Sequence, residues 1–288
     1  MSRKNILNSP HLSELRKEKR KILFRKVLYL AIFLLVIFIA LGLVSRLERL
    51  NINDIEVEGN IVVDTEVIKK VVEEAISGNY LWLFPKTSFL LYPKGGIKNK
   101  LEDEFKILKD ISVKIENTNN LKISVSEREP AYTWCGESLE LGATAEEGAC
   151  YFMDENGYVF SIAPYFSGDV YFKFFSPQNE KVLGSYVLPD IFNHIVAFLE
   201  TLRDMELKPI SILSKDDGKL EVFLASISLP PNAPKIILNK DFEVEKTAEN
   251  LQAALATEPL QSDFKKKYNS LLYIDLSFGN RVYFKFND

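Results

Sequence analysis

Histidine is nearly absent from this chain, with only His11 and His194 in 288 residues. Cysteine is as scarce, represented by Cys135 and Cys150 alone. Four such residues, widely spaced apart from the two cysteines, offer no set of ligands for a zinc or iron centre. The serine-hydrolase turn GxSxG, the zinc-protease pattern HExxH and the phosphate loop GxxxxGKS/T are missing too. Acidic clusters do occur, as in Glu102-Asp103-Glu104 and Asp216-Asp217. On a helix or a turn tip these read as solvated charge, and nothing pairs them across a cleft. His194 falls in an amphipathic segment beside Ile191 and Phe198, as expected for a half-buried helix histidine. The expectation is a protein without catalysis, cofactor or metal.

What the chain does have is an uneven distribution of charge. Residues 1–26 carry nine Lys/Arg against two Glu, a net of +7, whereas the remainder carries −11 of the total −4. Between the two lies VLYLAIFLLVIFIALGLV, Val27 to Val44, with neither a charge nor a proline. Eighteen helical residues span about 27 Å, close to the hydrocarbon thickness of a bilayer. A buried core helix would keep a polar stripe, and this run has none. A cleaved export signal is the closer rival, because Ala40-Leu41-Gly42 is a small-x-small triplet. The length of the run and of its basic leader favours a retained anchor. Excess positive charge before the run leaves residues 1–26 in the cytoplasm, with Ser9 as a helix cap before Pro10, and exports everything that follows.

Hydrophobic content of 47% is ample for a core in the exported part. INDIEV, 52–57, alternates as a strand and ends at Glu58-Gly59-Asn60, a turn. Asp64 caps a helix to Ile76 whose inward face reads Val67, Ile68, Val71, Val72, Ala75 and Ile76. Residues 80–96 are apolar but broken by Pro85 and Pro93, which predicts a packed loop. A second helix starts near Ile97 and keeps Leu101 and Phe105 inward. Two strands close the unit: Ile111, Val113 and Ile115 on one, Leu121, Ile123 and Val125 on the other, with a turn over 117–120. Further on, YFMDENGYVF (151–160) predicts a hairpin, Pro189–Met205 a helix, and 210–214 with 219–224 a second hairpin. Ile236–Leu238 reads as a short strand and Glu243–Ala256 as a helix with Val244, Ala248, Leu251 and Leu255 inward. The aromatic run 171–175 could be a carbohydrate platform, but in a β-rich region it is read as strand and core.

The fold class expected is α+β: one N-terminal transmembrane helix, a βααββ unit, then a β-rich domain with two or more helices. The divisions fall at 1–26, 27–45, 50–128 and 129–288. Cys135 and Cys150 would sit on neighbouring antiparallel strands, where a disulfide would contribute roughly 3 kcal/mol by closing a short loop. Two buried thiols that never meet are the alternative.

A βααββ unit directly after a membrane anchor resembles a POTRA domain. NINDIEVEGN (51–60) and LKISVSEREPAYTW (121–134) are similar to the two ends of that domain in the FtsQ/DivIB family of bacterial cell-division proteins. YFMDENGYVF and the closing YIDLSFGNRVYFKF (273–286) resemble later features of the same family. Ser277 stands where the family commonly has Arg, which leaves the role of that side chain open. The resemblance implies a divisome scaffold in the inner membrane at the septum, without enzymatic activity. It also implies that the C-terminal edge binds a small bitopic partner of the FtsB/FtsL type by strand addition. Carried over to this chain, that edge comprises Tyr273, Asp275, Ser277, Phe278, Arg281, Tyr283, Phe284 and Lys285. The POTRA unit is the expected docking surface for other division proteins. Nucleic-acid binding is not expected. The rival functional class is a polypeptide translocation or chaperone component, which would continue into a transmembrane barrel of alternating strands. An exported cell-wall enzyme is the third reading, and no carboxylate pair nominates itself for it.

Overall fold

The computed structural model describes residues 10–117, 119–139, 150–164, 170–177 and 181–287, with side chains from Glu18 onward apart from Lys265. The expected Ser9 cap, the side chain of His11, Thr118 in its turn and the stretch 140–149 between the cysteines lie outside the described residues. The fold is mixed α+β, with one N-terminal apolar helix and a sheet-rich body. Two units are distinguished: one runs to Glu104 and resumes over Asp110–Ser126, the other takes Phe105–Lys109 and the chain from Glu127 on. The sequence-based division at 128 thus falls two residues past the observed one, and the second unit also claims five residues at 105–109.

In the first unit, α1 (Pro10–Ser45) is one continuous helix, long and apolar enough to cross a membrane. From Val27 to Val44 every residue is exposed except Gly42. After it come β1 (Asp54–Glu58), α2 (Thr65–Ile76), a miniature hairpin of β2 (Asn79–Tyr80) and β3 (Phe84–Pro85), α3 (Lys94–Glu104), β4 (Leu108–Asn117) and β5 (Asn120–Glu127). The main sheet has the order β1-β5-β4, with β1 parallel to β5 and Ile55 opposite Leu121. Asp64 caps α2 by accepting the Glu66 N–H at 2.8 Å. Ile68, Val72 and Ile76 of α2 and Ile97 and Leu101 of α3 are buried, as are Ile55, Val113, Leu121 and Ile123 of the sheet. Each such side chain stabilises the unit by roughly 1.5–3 kcal/mol through removal from water. Gly59 is needed where it stands: its φ is +89°, and a Cβ there would collide with the carbonyl oxygen of Val125. Lys122 lies between Glu58 (2.7 Å) and Glu116 (3.2 Å), and hydrogen bonds to these two carboxylates push its ammonium up to about 12.

Three expectations for this unit need correction. Val67 is exposed, because α2 buries the line through Ile68, Val72 and Ile76 and Val67 lies about 100° around the helix from it. The second helix begins three residues early, at Lys94, and stops before Phe105. Residues 80–96 are a packed loop only in part: 83–89 are half-buried or buried, but a short β2–β3 hairpin forms and Leu81, Trp82 and Leu90 are exposed.

The second unit is built on one mixed sheet. Its elements are β6 (Tyr132–Trp134), β7 (Tyr151–Met153), β8 (Val159–Ile162), β9 (Phe172–Phe175), α4 (Phe192–Asp204), β10 (Pro209–Ser214), β11 (Lys219–Leu224), β12 (Lys235–Asn239), α5 (Val244–Leu255), α6 (Leu260–Lys267), β13 (Leu271–Phe278) and β14 (Arg281–Phe286). The strand order is β14-β13-β12-β11-β10-β9-β6-β7-β8. Register places Trp134, Phe174, Ile212, Val222, Ile236, Ile274 and Phe284 in one row across seven strands. That row faces the helices, whose Phe192, Ile195, Phe198, Leu199, Leu202, Leu251 and Leu260 share the core with it. The aromatic run 171–175 is accordingly strand and core: Phe172, Phe174 and Phe175 are buried. α4 turns its Ile195–Phe198–Leu202 line to this core, which leaves His194 exposed and not half-buried as expected. Cys135 and Cys150 follow the β6–β7 register and are joined by a disulfide. α6 was not foreseen, since LQSDFKKK after Pro259 has little apolar periodicity.

Candidate functional site

The closing hairpin is organised by its turn. Gly279-Asn280 connects β13 to β14, and the ladder shifts register between Asp275 and Phe278, leaving a bulge. Asp275 sits in that bulge, nearly buried, and its Oδ1 accepts from the Ser277 N–H (2.9 Å) and the Ser277 hydroxyl (2.6 Å). Two amides tie the turn to the body: Asn239 Nδ2 donates to the Ser277 carbonyl at 2.8 Å, and Asn250 Nδ2 to the Gly279 carbonyl at 3.0 Å. A bulge held at both sides fixes the register and the twist of the last strand.

β14 alternates cleanly. Val282, Phe284 and Phe286 are half-buried and pack on the core, whereas Arg281, Tyr283 and Lys285 are exposed on the other face. On that outward face Tyr273 stands opposite Lys285, Asp275 opposite Tyr283 and Phe278 opposite Arg281. Phe278 and Tyr283 meet edge to face at 5.1 Å, and Lys219 Nζ reaches over the Phe278 ring at 6.0 Å. The structure therefore gathers Tyr273, Phe278, Arg281, Tyr283 and Lys285 on one surface. It engages Asp275 and Ser277 with each other inside the strand, and it turns Phe284 to the opposite face. There Phe284 and Val282 border a shallow groove completed by Asn250, Ala253, Ala254 and Thr257 of the α5 side. The sequence reading missed that half of the surface. The only signal was the pair of small residues Ala253-Ala254 outside the inward line of α5.

The two ends of the nine-stranded sheet differ. At β8 the Val159 N–H donates to the Ser185 carbonyl (2.9 Å) and the Val159 carbonyl accepts from the Gly184 N–H (2.8 Å), so a neighbouring segment covers the start of that edge. Tyr158 and Tyr186 extend the cover as a bridge. At β14, among the described residues, no segment other than β13 pairs with the strand. An uncovered strand edge carries a row of backbone donors and acceptors ready for a further strand.

Behind the edge, the face of the sheet turned away from the helices holds Glu221 between two lysines, at 2.6 Å from Lys215 Nζ and 2.9 Å from Lys235 Nζ. Register sets Lys235 next to Tyr273 and, through it, Lys285. Burial pushes the Glu221 carboxyl up, but the two lysine hydrogen bonds and charges outweigh it, and the net shift is below the ordinary 4.5. A carboxyl held low in the fold stabilises it above the unfolded value, and that stability is lost as pH falls through the lower folded value. Glu221→Gln should therefore flatten the acid limb: the loss of unfolding midpoint between pH 7 and pH values below 4.5 should be smaller in the variant than in the parent. Parallel acid limbs in the two proteins would remove Glu221 from the account.

Among the described residues no group of three or more His, Cys, Asp or Glu is placed to hold a metal ion. No family model matches this chain, and no curated protein sequence matches it.

Proposed function

We propose that this protein is a non-catalytic, bitopic scaffold of the bacterial divisome, of the FtsQ/DivIB type. In this reading α1 anchors it in the inner membrane at the septum, with residues 1–26 cytoplasmic and both units outside. The first unit is a POTRA domain that docks other division proteins. The edge of β14 receives a strand from a small single-pass protein of the FtsB/FtsL type. The observation that carries the reading is the contrast between the two sheet edges, β8 covered at Val159 and β14 without a further strand among the described residues. Main-chain pairing would supply affinity, and specificity would come from alternate side chains of the partner. One set would meet Tyr283 and Lys285, the other the groove beside Ala253 and Phe284.

The test is photo-crosslinking in dividing cells with single probes at Tyr283 and Lys285. His194 serves as the control, since it is exposed and lies on α4, away from the edge. The expected result is a strong adduct to a small single-pass protein at both strand positions and none at His194. Equal labelling at all three positions, or no adduct at the strand in a cell that needs the protein to divide, sinks the edge as the docking site.

A further inference from the structure

The β2–β3 hairpin carries Leu81 and Trp82 at its tip, 75% and 92% exposed. Single exposed apolar residues need no explanation, but here two are consecutive, and the same unit also exposes Leu90 (74%) and Leu47 (55%). The Phe89 N–H donates to the Leu50 carbonyl at 3.1 Å, which holds the Leu90 segment beside the short turn that follows α1. The tip is also bent in an uncommon way. Leu81 and Trp82 both have positive φ, 48° and 59°, a conformation that turns usually assign to Gly or Asn. Two large apolar side chains in such places point to a role for the side chains themselves.

The hairpin that carries them lies against α1. The Phe84 ring meets the Phe38 ring edge to face at 5.1 Å. Leu83 fills the space beside Gly42, the one buried residue of the run Val27–Val44. Phe38 precedes the end of α1 at Ser45 by seven residues, which is about 10 Å along the helix axis. The hairpin therefore runs alongside the apolar part of the helix and not only beside its exit. Carbonyls at that depth need partners, and Arg46 supplies them: its Nε donates to the Leu83 carbonyl and its Nη2 to the Trp82 carbonyl, both at 3.3 Å. Lys86 stands over the Tyr80 ring at 5.7 Å. Tryptophan, tyrosine and snorkelling cations are the side chains that favour the headgroup boundary.

We infer that the hairpin tip, Leu81 to Phe84, is a membrane-insertion element that seats the first unit in the headgroup–acyl boundary of the leaflet from which α1 emerges. The inference rests on α1 spanning the membrane, and it holds whichever partners the second unit takes. Lipid is the occupant because Leu83 and Phe84 of the same hairpin pack on the exposed apolar face of α1.

The test uses the full chain in phosphatidylcholine–phosphatidylglycerol vesicles. Subtracting the fluorescence of Trp82→Phe from that of the parent isolates Trp82 and leaves the buried Trp134 untouched. The expected difference spectrum is blue-shifted, is quenched by lipids brominated near the top of the acyl chain, and is insensitive to aqueous iodide. A solvent-like spectrum quenched by iodide, in a chain that floats with the vesicles, overturns the inference and leaves the spanning helix standing. A chain that does not float overturns both.

Discussion

Ile274→Ala is expected to destabilise the second unit by about 2–5 kcal/mol, as a fully buried aliphatic side chain leaves a cavity. Ile274 is fully buried, and it lies in the cross-strand row between Ile236 and Phe284. With Leu271, which stands opposite Phe286, it ties β13 and β14 to the core. Removing it should raise amide exchange first in β13 and β14, since local opening follows the loss of buried contacts. Denaturant unfolding of the full chain in detergent reads the first effect, and hydrogen exchange reads the second. Crosslinking at Lys285 should fall with it, although no outward residue has changed. A variant with wild-type exchange in β14 would show that the hairpin is held by its turn ties from Asn239 and Asn250 and not by this row.

Asp154→Ala should cost a comparable amount, about 3–5 kcal/mol, because it leaves a partly buried cation without its partner. Asp154 is 2% exposed and pairs with the Arg128 guanidinium. Its Oδ1 also accepts the N–H groups of Asn156 (2.9 Å) and Tyr158 (3.0 Å), so the same carboxylate builds the turn between β7 and β8. Arg128 in turn stacks over the Tyr158 ring at 4.0 Å. Loss of the carboxylate orphans three donors at once, whereas Arg128→Met removes the charge and keeps the packing of the stem. The double variant Asp154→Ala/Arg128→Met should therefore be less destabilised than the sum of the two singles. An additive pair in that cycle would mean that the turn hydrogen bonds, and not the ion pair, carry the cost.

Much of this architecture could be read locally. The uncharged run Val27–Val44 fixes the apolar helix by composition alone. Asp64 and the 3.6-residue spacing of Ile68, Val72 and Ile76 announce α2. Period-two alternation and Gly279-Asn280 announce the closing hairpin, including which side chains share a face. These are short-range properties, set by backbone geometry and side-chain spacing within a dozen residues. The failures were also local in form but not in cause. Val67 and His194 belong to amphipathic helices whose exact rotation is chosen by the surfaces they pack on. The exposed Leu81-Trp82 tip defied the rule that an apolar stretch is buried, because α1 beside it is itself apolar and exposed.

By itself, then, the sequence determined most of the elements, the alternating faces of the closing strand and the anchor-like helix. Only the tertiary structure decided the order of the sheet, where β9 pairs with β6 on one side and β10 on the other, and β12 pairs with β13 across α5 and α6. That order puts β14 last and brings Gly184 and Ser185 onto the opposite edge. It also brings Lys215 and Lys235 from two different segments to Glu221. The physical reason is that strand pairing and ion pairing across the sheet depend on closing long loops. Alternation within a strand says which face is buried and nothing about which neighbour it will have.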